Sequence, residues 1–298
     1  MKINIYQVDA FTDKIFGGNP AAVVPDARGL TDMDMQNIAM EMNLSETAFV
    51  IPIDSENYKL RFFTPVSEVD LCGHATIASF YTLAYKGYIP SVKNGIKKVY
   101  QETKAGKLSV EIFFKNGEVE KVWMEQTIPE ELNEIKDINP LLEYLNIKVE
   151  DIGIDENFIH PKIISTGLAD IIVPLKKKNI LDSLDVDLKG LSLLSEELGV
   201  TGVHVFYLPN KDSDIVFTRN FAPLVGINEE AATGTSNGAL MYFLKNGEYI
   251  EKNEIISYQG QNLNRPSKIY CKIEETKKGY MVKVGGCARI VLDGYTYL

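Results

Sequence analysis

The sequence predicts an α/β (α+β) chain of two pseudo-symmetric domains, each a curled, mostly antiparallel sheet around a buried central helix. Three observations carry this expectation. Arg-x-Phe-x-Pro occurs twice, at Arg61 to Pro65 and at Arg219 to Pro223, each copy followed by a short polar loop, a glycine and an apolar run. The same distance, sixteen positions, separates Gly73 from Ile89 and Gly234 from Ile250, while the loop before the glycine is three residues longer in the second copy. Two matches in order, with equal helix lengths, point to a duplicated unit.

The elements follow in order. "TDMDMQNIAMEMN" reads as a helix, with Thr31 three residues before Asp34 as a capping box, a stripe of Met35, Ile38, Ala39 and Met42, and Asn43 for a left-handed end. "ETAFVIPI" is a strand, and "YKLRFFTP" alternates and stops at Pro65. "ATIASFYTLAYKG" is apolar on nearly every face, so this helix is expected to be buried all round, with Gly87 as its stop. Hairpin strands with Ala-Gly and Asn-Gly turns run to Trp123. The second half repeats the plan in "LKGLSLLSEELGV", "GVHVFYLP", "DIVFTRNFAP" and "TSNGALMYFLKNG", with Gly247 as the stop, and closes with the strands of "SKIYCKIEETKKGYMVKVGGCARIVLDG". The boundary falls near "QTIPEELNEI", giving domains 1–125 and 126–284. Residues 285–298 hold a final strand that reads as the one element without a counterpart, free to return to the first domain.

Composition narrows the function. The 298 residues are 45% hydrophobic and 24% charged, the mix of a globular protein. A net charge of −10 argues against a nucleic-acid partner, which needs a basic surface. The N-terminus has no apolar signal segment, no apolar run reaches membrane-span length, and three cysteines suit a reducing cytoplasm.

Chemistry concentrates at the two helix starts. "VDLCGHATIAS" sets Cys72 and His74 around Gly73, and "EEAATGTSNGAL" leads into Gly234 and Thr235. The first amides of a helix lack helical acceptors and favour anions. Pseudo-twofold halves are expected to turn both starts toward one cleft. A metal pair finds no support, because the chain has three histidines and no second ligand pair. A two-thiol racemase is disfavoured, because Thr233 stands where a partner for Cys72 belongs. Cys271, Cys287 and His204 read as packing residues. His74 is expected to be a neutral hydrogen-bond donor, its charge opposed by the positive helix end, or a proton shuttle. Glu46 lies at a helix-to-strand junction, and the second half has no acid there, Gly202 or a neighbour taking the place. Alone it reads as a solvated glutamate at a strand start, but the asymmetry points to one acid/base group.

"VDAFTDKIFGGNPAAVV", "NLSETAFV", "FTPVSEVDLCGHATIAS", "FAPLVGINEEAATGTSNGAL" and "YQGQNLNRPSKI" together resemble the PhzF-like phenazine-biosynthesis isomerase family, which shares the diaminopimelate epimerase and proline racemase fold. The resemblance covers essentially the whole chain. It implies a cleft between two similar domains, a homodimer, and no cofactor or metal. It places Glu46 on the family's catalytic general acid/base, and Gly73, His74, Glu230, Gly234 and Thr235 on substrate-binding positions. Glu230 and Thr235 stand where the family has aspartate and serine, and Ala231 replaces a proline. The expected function is a cofactor-independent isomerase moving a proton between carbons of a small carboxylic acid, an amino acid by expectation. An amino-acid epimerase or racemase and a non-catalytic module that binds a small acid or a protein are the alternatives.

Overall fold

The computed structural model describes residues 1–277 and 279–298. The chain divides into two compact units, residues 1–125 with 285–298, and residues 126–284. The first contains β1 (Lys2–Ala10), β2 (Asn19–Val24), α1 (Asp32–Met42), β3 (Glu46–Pro52), β4 (Asn57–Phe63), β5 (Glu68–Val69), α2 (Gly73–Tyr85), β6 (Asn94–Thr103), β7 (Gly106–Lys115) and β8 (Glu118–Glu125). The second contains β9 (Glu130–Glu134), α3 (Asn139–Leu145), β10 (Lys162–Ser165), β11 (Ala169–Leu175), α4 (Lys178–Asp182), α5 (Leu188–Leu198), β12 (Gly202–Tyr207), β13 (Ile215–Ala222), β14 (Ile227–Glu230), α6 (Gly234–Asn246), β15 (Glu254–Gln259) and β16 (Ser267–Thr276). Next come β17 (Gly279–Gly286) and β18 (Ala288–Tyr297). The turn after β16 includes Lys278, which lies outside the described residues.

Strand pairing makes the duplication explicit. In the first unit β1–β2 is antiparallel, β2–β3 parallel, β3–β4 antiparallel, β4–β6 parallel and β6–β7 antiparallel. In the second, β10–β11, β11–β12, β12–β13, β13–β15 and β15–β16 repeat that series. The two parallel pairs in each unit follow from connectivity, since a helix lies between the paired strands and parallel neighbours need such a crossover. One expectation is corrected. β18 pairs antiparallel with β1, as β9 does with β10, so the final strand has a counterpart after all.

The capping box is present: Asp34 N–H donates to the Thr31 hydroxyl at 3.2 Å, and Thr31 N–H donates to the Asp34 carboxylate at 2.9 Å. Asn43 then ends α1 at φ 50°, and Met35, Ile38 and Ala39 pack against Ala22, Phe49 and Phe63. Every residue of α2 from Gly73 to Ala84 is buried. Removing side chains such as Ile77, Phe80 and Leu83 from water contributes about 1.5–3 kcal/mol each. The α6 helix is buried likewise apart from Tyr242 and its last turn. The two helices end differently than the sequence suggests. Gly87 takes φ 78°, but Gly247 does not adopt a left-handed angle; Glu248 does, at φ 56°. Gly247 is required instead by the Tyr249 ring, which would lie 2.2 Å from an added Cβ.

The repeated Arg-x-Phe acquires a reason. Arg61 makes a two-pronged ion pair with Glu68, at 2.8 and 2.9 Å, and its guanidinium lies over the Phe63 ring. Arg219 does the same with Glu229, at 2.9 and 2.8 Å, and lies over Phe221. Each arginine thereby pins the strand before the buried helix to the short strand of the loop that leads into it. Arg61 and Lys104 hold the Glu68 carboxyl down to about 2. No helix of the described residues is long and apolar enough to cross a membrane.

Candidate active site

At the start of α2, Cys72 is the N-cap and its side chain makes no capping hydrogen bond. His74, on the first turn, is 4% exposed at its side chain, and its Nε2 lies 3.2 Å from Oε2 of Glu46, itself 13% exposed. Glu46 opens β3, directly after the loop that follows the left-handed Asn43. On the other side of the ring, Nδ1 lies 3.2 Å from Asn19 Nδ2 and 3.4 Å from Cys72 Sγ. The first unit thus contributes a carboxylate, an imidazole, an amide and a thiol in one buried cluster. Their ligating atoms also fall within 4.8 Å of one another for Glu46, Cys72 and His74. The imidazole lies between the thiol on one nitrogen and the carboxylate on the other, an arrangement suited to passing a proton.

Burial opposes charge on His74, whereas Cys72 and Glu46 favour it, and the balance lies well above the usual imidazole value. Burial and the Glu46 charge push the Cys72 thiol up to about 11, so it is a neutral thiol near pH 7 and the Glu46 carboxylate supplies the attraction. This corrects the expectation of a neutral His74: a full charge 3.2 Å away outweighs the partial charge of a helix end. The thiol itself is a poor nucleophile or base in this environment.

At the start of α6 the chemistry is different. Thr233 is the N-cap, yet its hydroxyl does not cap the helix; it donates to Glu230 Oε2 at 2.8 Å. Gln259, at the end of β15, spans the turn by donating to the Glu230 carbonyl at 2.8 Å and to Thr233 Oγ1 at 3.1 Å. Thr235 is buried, and its carbonyl accepts from the Thr166 hydroxyl at 2.8 Å. Of the adjacent acids, Glu229 is consumed by Arg219, leaving Glu230 as the carboxylate bound to the helix start. Gly73 and Gly234 are the first residues of the two helices, as the spacing requires.

Register explains why the second unit lacks an acid at the Glu46 position. Glu46 sits beside Ala21 of β2, and the same pairing in the second unit sets Gly202 beside Asp170 of β11. A Cβ on Gly202 would lie 2.3 Å from the Phe221 carbonyl oxygen, so no side chain fits. Sequence reasoning missed Asn19, Asp170, Asn220, Asn237 and Gln259. Asn19 stands in "FGGNPAAVV", where the turn-forming residues mask its polar role, and the others are separated from their partners by long stretches of chain.

Comparisons with known proteins identify the family and the fold. A family model described as phenazine biosynthesis-like protein matches residues 8–294. A Clostridium acetobutylicum protein named an uncharacterized isomerase is 37% identical, the match covering 97% of this chain and 96% of that one. The crystal structure of a PhzF-family phenazine biosynthesis protein from Bacillus anthracis superposes with a TM-score of 0.86 at 28% identity, covering both chains fully. A predicted epimerase of Pseudomonas aeruginosa shares the fold, with a TM-score of 0.81 at 21% identity over 99% of each chain. Matched by that family model over nearly its whole length and by relatives named isomerases, this chain belongs to the PhzC-PhzF family of phenazine biosynthesis-like proteins, a family of isomerases.

Proposed function

We propose that the protein moves a proton between carbons of a small carboxylic acid, with Glu46 as the general acid/base and no cofactor. The observation that carries this reading is the Glu46–His74 pair at the start of a helix buried from Gly73 to Ala84. The first amides of α2, at Gly73 and His74, offer hydrogen bonds to a substrate carboxylate or carbonyl. An enolate-like charge gathers on those oxygens when a carbon-bound proton leaves, and fixed dipoles are most effective against such developing charge. Glu46 Oε2 takes the proton from one carbon and returns it to another. His74 holds Glu46 in place and can share the proton across the 3.2 Å contact. Glu230, Gly234 and Thr235 serve as substrate-binding groups in this reading, and a carboxylate at Glu230 favours a substrate with an ammonium group. Thr233, whose hydroxyl is committed to Glu230, does not replace the second thiol that a two-base racemase requires.

Solvent deuterium tests the reading. Small amino and keto acids that raise the melting temperature are incubated in heavy water with wild type and with Glu46→Gln. Wild type is expected to incorporate deuterium at carbon and shift a double bond, and the variant to lose this. Tight binding of an acid with neither exchange nor isomerisation would leave only a binding module.

A further inference from the structure

Asn19 is the first residue of β2 and is 3% exposed. The chain that leads into it is pinned. Gly18 takes φ 62°, and a Cβ there would lie 2.1 Å from the Ala10 carbonyl oxygen, while Phe16 N–H donates to the Asp9 carboxylate at 2.7 Å. Asn19 then pairs with Ala10 of β1. Its side chain meets one edge of the His74 ring, with Nδ2 3.2 Å from Nδ1. The Cys72 sulfur reaches the same nitrogen at 3.4 Å. These two neighbours differ in what they can do. A thiol serves either form of the ring, donating S–H to a bare nitrogen or accepting weakly from N–H. An amide nitrogen donates and has no acceptor. With Asn19 Nδ2 turned to the ring, Nδ1 must accept, and a neutral imidazole with an accepting Nδ1 has its proton on Nε2. That is the edge 3.2 Å from Oε2 of Glu46.

We propose that Asn19 is a positioning residue that fixes the tautomer of His74, keeping the one proton of the neutral ring on Nε2, toward Glu46, and making Nδ1 the nitrogen that gains and loses the second proton. The titratable groups at the ring are Glu46, from β3, and Cys72, at the start of α2, and both favour its charged form. Asn19 acts in the opposite sense. A charged ring would turn Nδ1–H against the Nδ2 hydrogens, so the amide opposes the second proton and keeps the ring from being locked as an imidazolium. A neutral ring with its proton on Nε2 leaves Glu46 ionised, which is the form that can take a proton from carbon. The use of the tautomer in catalysis rests on the reading of Glu46 as the acid/base group; the tautomer itself is measured without a substrate.

The test uses the full chain with 15N-labelled histidine. The chain has three histidines, and His74 is assigned by the loss of its signals in His74→Gln. The pH is raised until the His74 ring is neutral. Wild type is then expected to show a protonated Nε2 and a bare Nδ1. The reverse tautomer, or a ring doubly protonated at every pH at which the chain stays folded, overturns the proposal. Asn19→Asp keeps the shape and exchanges the donor for an acceptor. The His74 midpoint is expected to rise by about one unit or more, because an opposite charge so close favours the charged ring. Asn19→Leu removes the donor and adds no charge; it is expected to raise the midpoint by less and to let both neutral tautomers appear. An unmoved midpoint with an unchanged tautomer in the folded variants would reduce Asn19 to packing and overturn the proposal. If Asn19→Asp does not fold, Asn19→Leu decides by the same two readouts. Deuterium exchange at carbon near pH 7 is expected to slow about tenfold or more in Asn19→Asp, since each unit of midpoint cuts the neutral fraction tenfold. Normal exchange in Glu46→Gln is a separate outcome: it sinks the role of Glu46 and leaves the tautomer standing.

Discussion

His74 and His204 are both buried, and each has an asparagine Nδ2 at 3.2 Å from its Nδ1. Their titrations nevertheless move in opposite directions. His74 faces the Glu46 carboxylate and is shifted well above the ordinary imidazole value, while His204 faces an amide and burial brings it to about 3. His74 has Cys72 at Nδ1 and the Glu46 carboxylate at Nε2, both favouring its charge, whereas nothing comparable offsets the burial of His204. A carboxylate beside the ring favours its charged form; without one, burial keeps the ring neutral. The duplicated fold thus sets one buried imidazole beside a carboxylate at the start of α2 and keeps the other, on β12, as a neutral ring.

The largest expected effect comes from erasing the carboxylate half of this contrast. Glu46→Gln keeps shape and hydrogen bonding but cannot carry the proton, and turnover should fall by about 10²–10⁴-fold, with the dissociation constant kept within about tenfold. Single-turnover and binding measurements on a substrate found by screening decide this. Near-normal turnover would move the chemistry away from Glu46.

Stability against pH sharpens the same contrast inside the second unit. Burial raises the Asp170 carboxyl to about 6, so its contribution is complete below the unfolded value of 3.8 and is lost as pH rises through about 6. His204 behaves in the opposite sense: its contribution is present above 6.5 and is lost as pH falls toward about 3. The Asp170 contribution is on the order of 3 kcal/mol and that of His204 on the order of 5 kcal/mol. Between pH 4 and pH 7, Asp170→Asn should therefore gain stability relative to wild type, and His204→Gln should lose it. Urea midpoints at the two pH values measure both, and parallel curves for all three proteins would refute the assignment.

Glu230→Gln is expected to act more mildly on rate than Glu46→Gln and to weaken binding by about tenfold, about 1.4 kcal/mol, since the role proposed for that carboxylate is to position the substrate. A dead variant with intact binding would exchange the two roles. Smallest of all, Cys72→Ala should keep turnover within about tenfold, because its thiol is a neutral neighbour of His74 and not a base.

Much of this division could be read from the residues alone. The matched spacing from Gly73 and Gly234 located both buried helices, and the lack of an acid opposite Glu46 singled out one carboxylate. What local reasoning could not see were side chains brought together by strand register. Asp170 becomes visible only when β11 is laid beside β12, and Asn220 only when β13 is paired to both its neighbours. His204 was read as packing because alternation along "GVHVFYL" reports which face is buried, not what the buried face contains. The misjudged sign for His74 has the same root, since Glu46 is 28 residues away along the chain and its proximity is a tertiary fact. Gly247 and Glu248 show the limit at a finer scale: the rule that glycine takes the left-handed position failed where an aromatic ring had a stronger claim on the missing side chain.

The return of β18 to β1 sets an order on biosynthesis. The unit that contains Glu46 and His74 is discontinuous along the chain, whereas residues 126–284 form an unbroken stretch. Domains commonly mature in the order in which a ribosome releases them. Here vectorial synthesis runs against that habit. The first half to emerge must wait with the edge of β1 unpaired until the last strand is released, while the second half already has all its own segments. The unit that contains Glu46 and His74 is therefore completed after residues 126–284 have emerged, and a nascent chain lacking residues 285–298 would expose the edge of β1 to pairing with other chains.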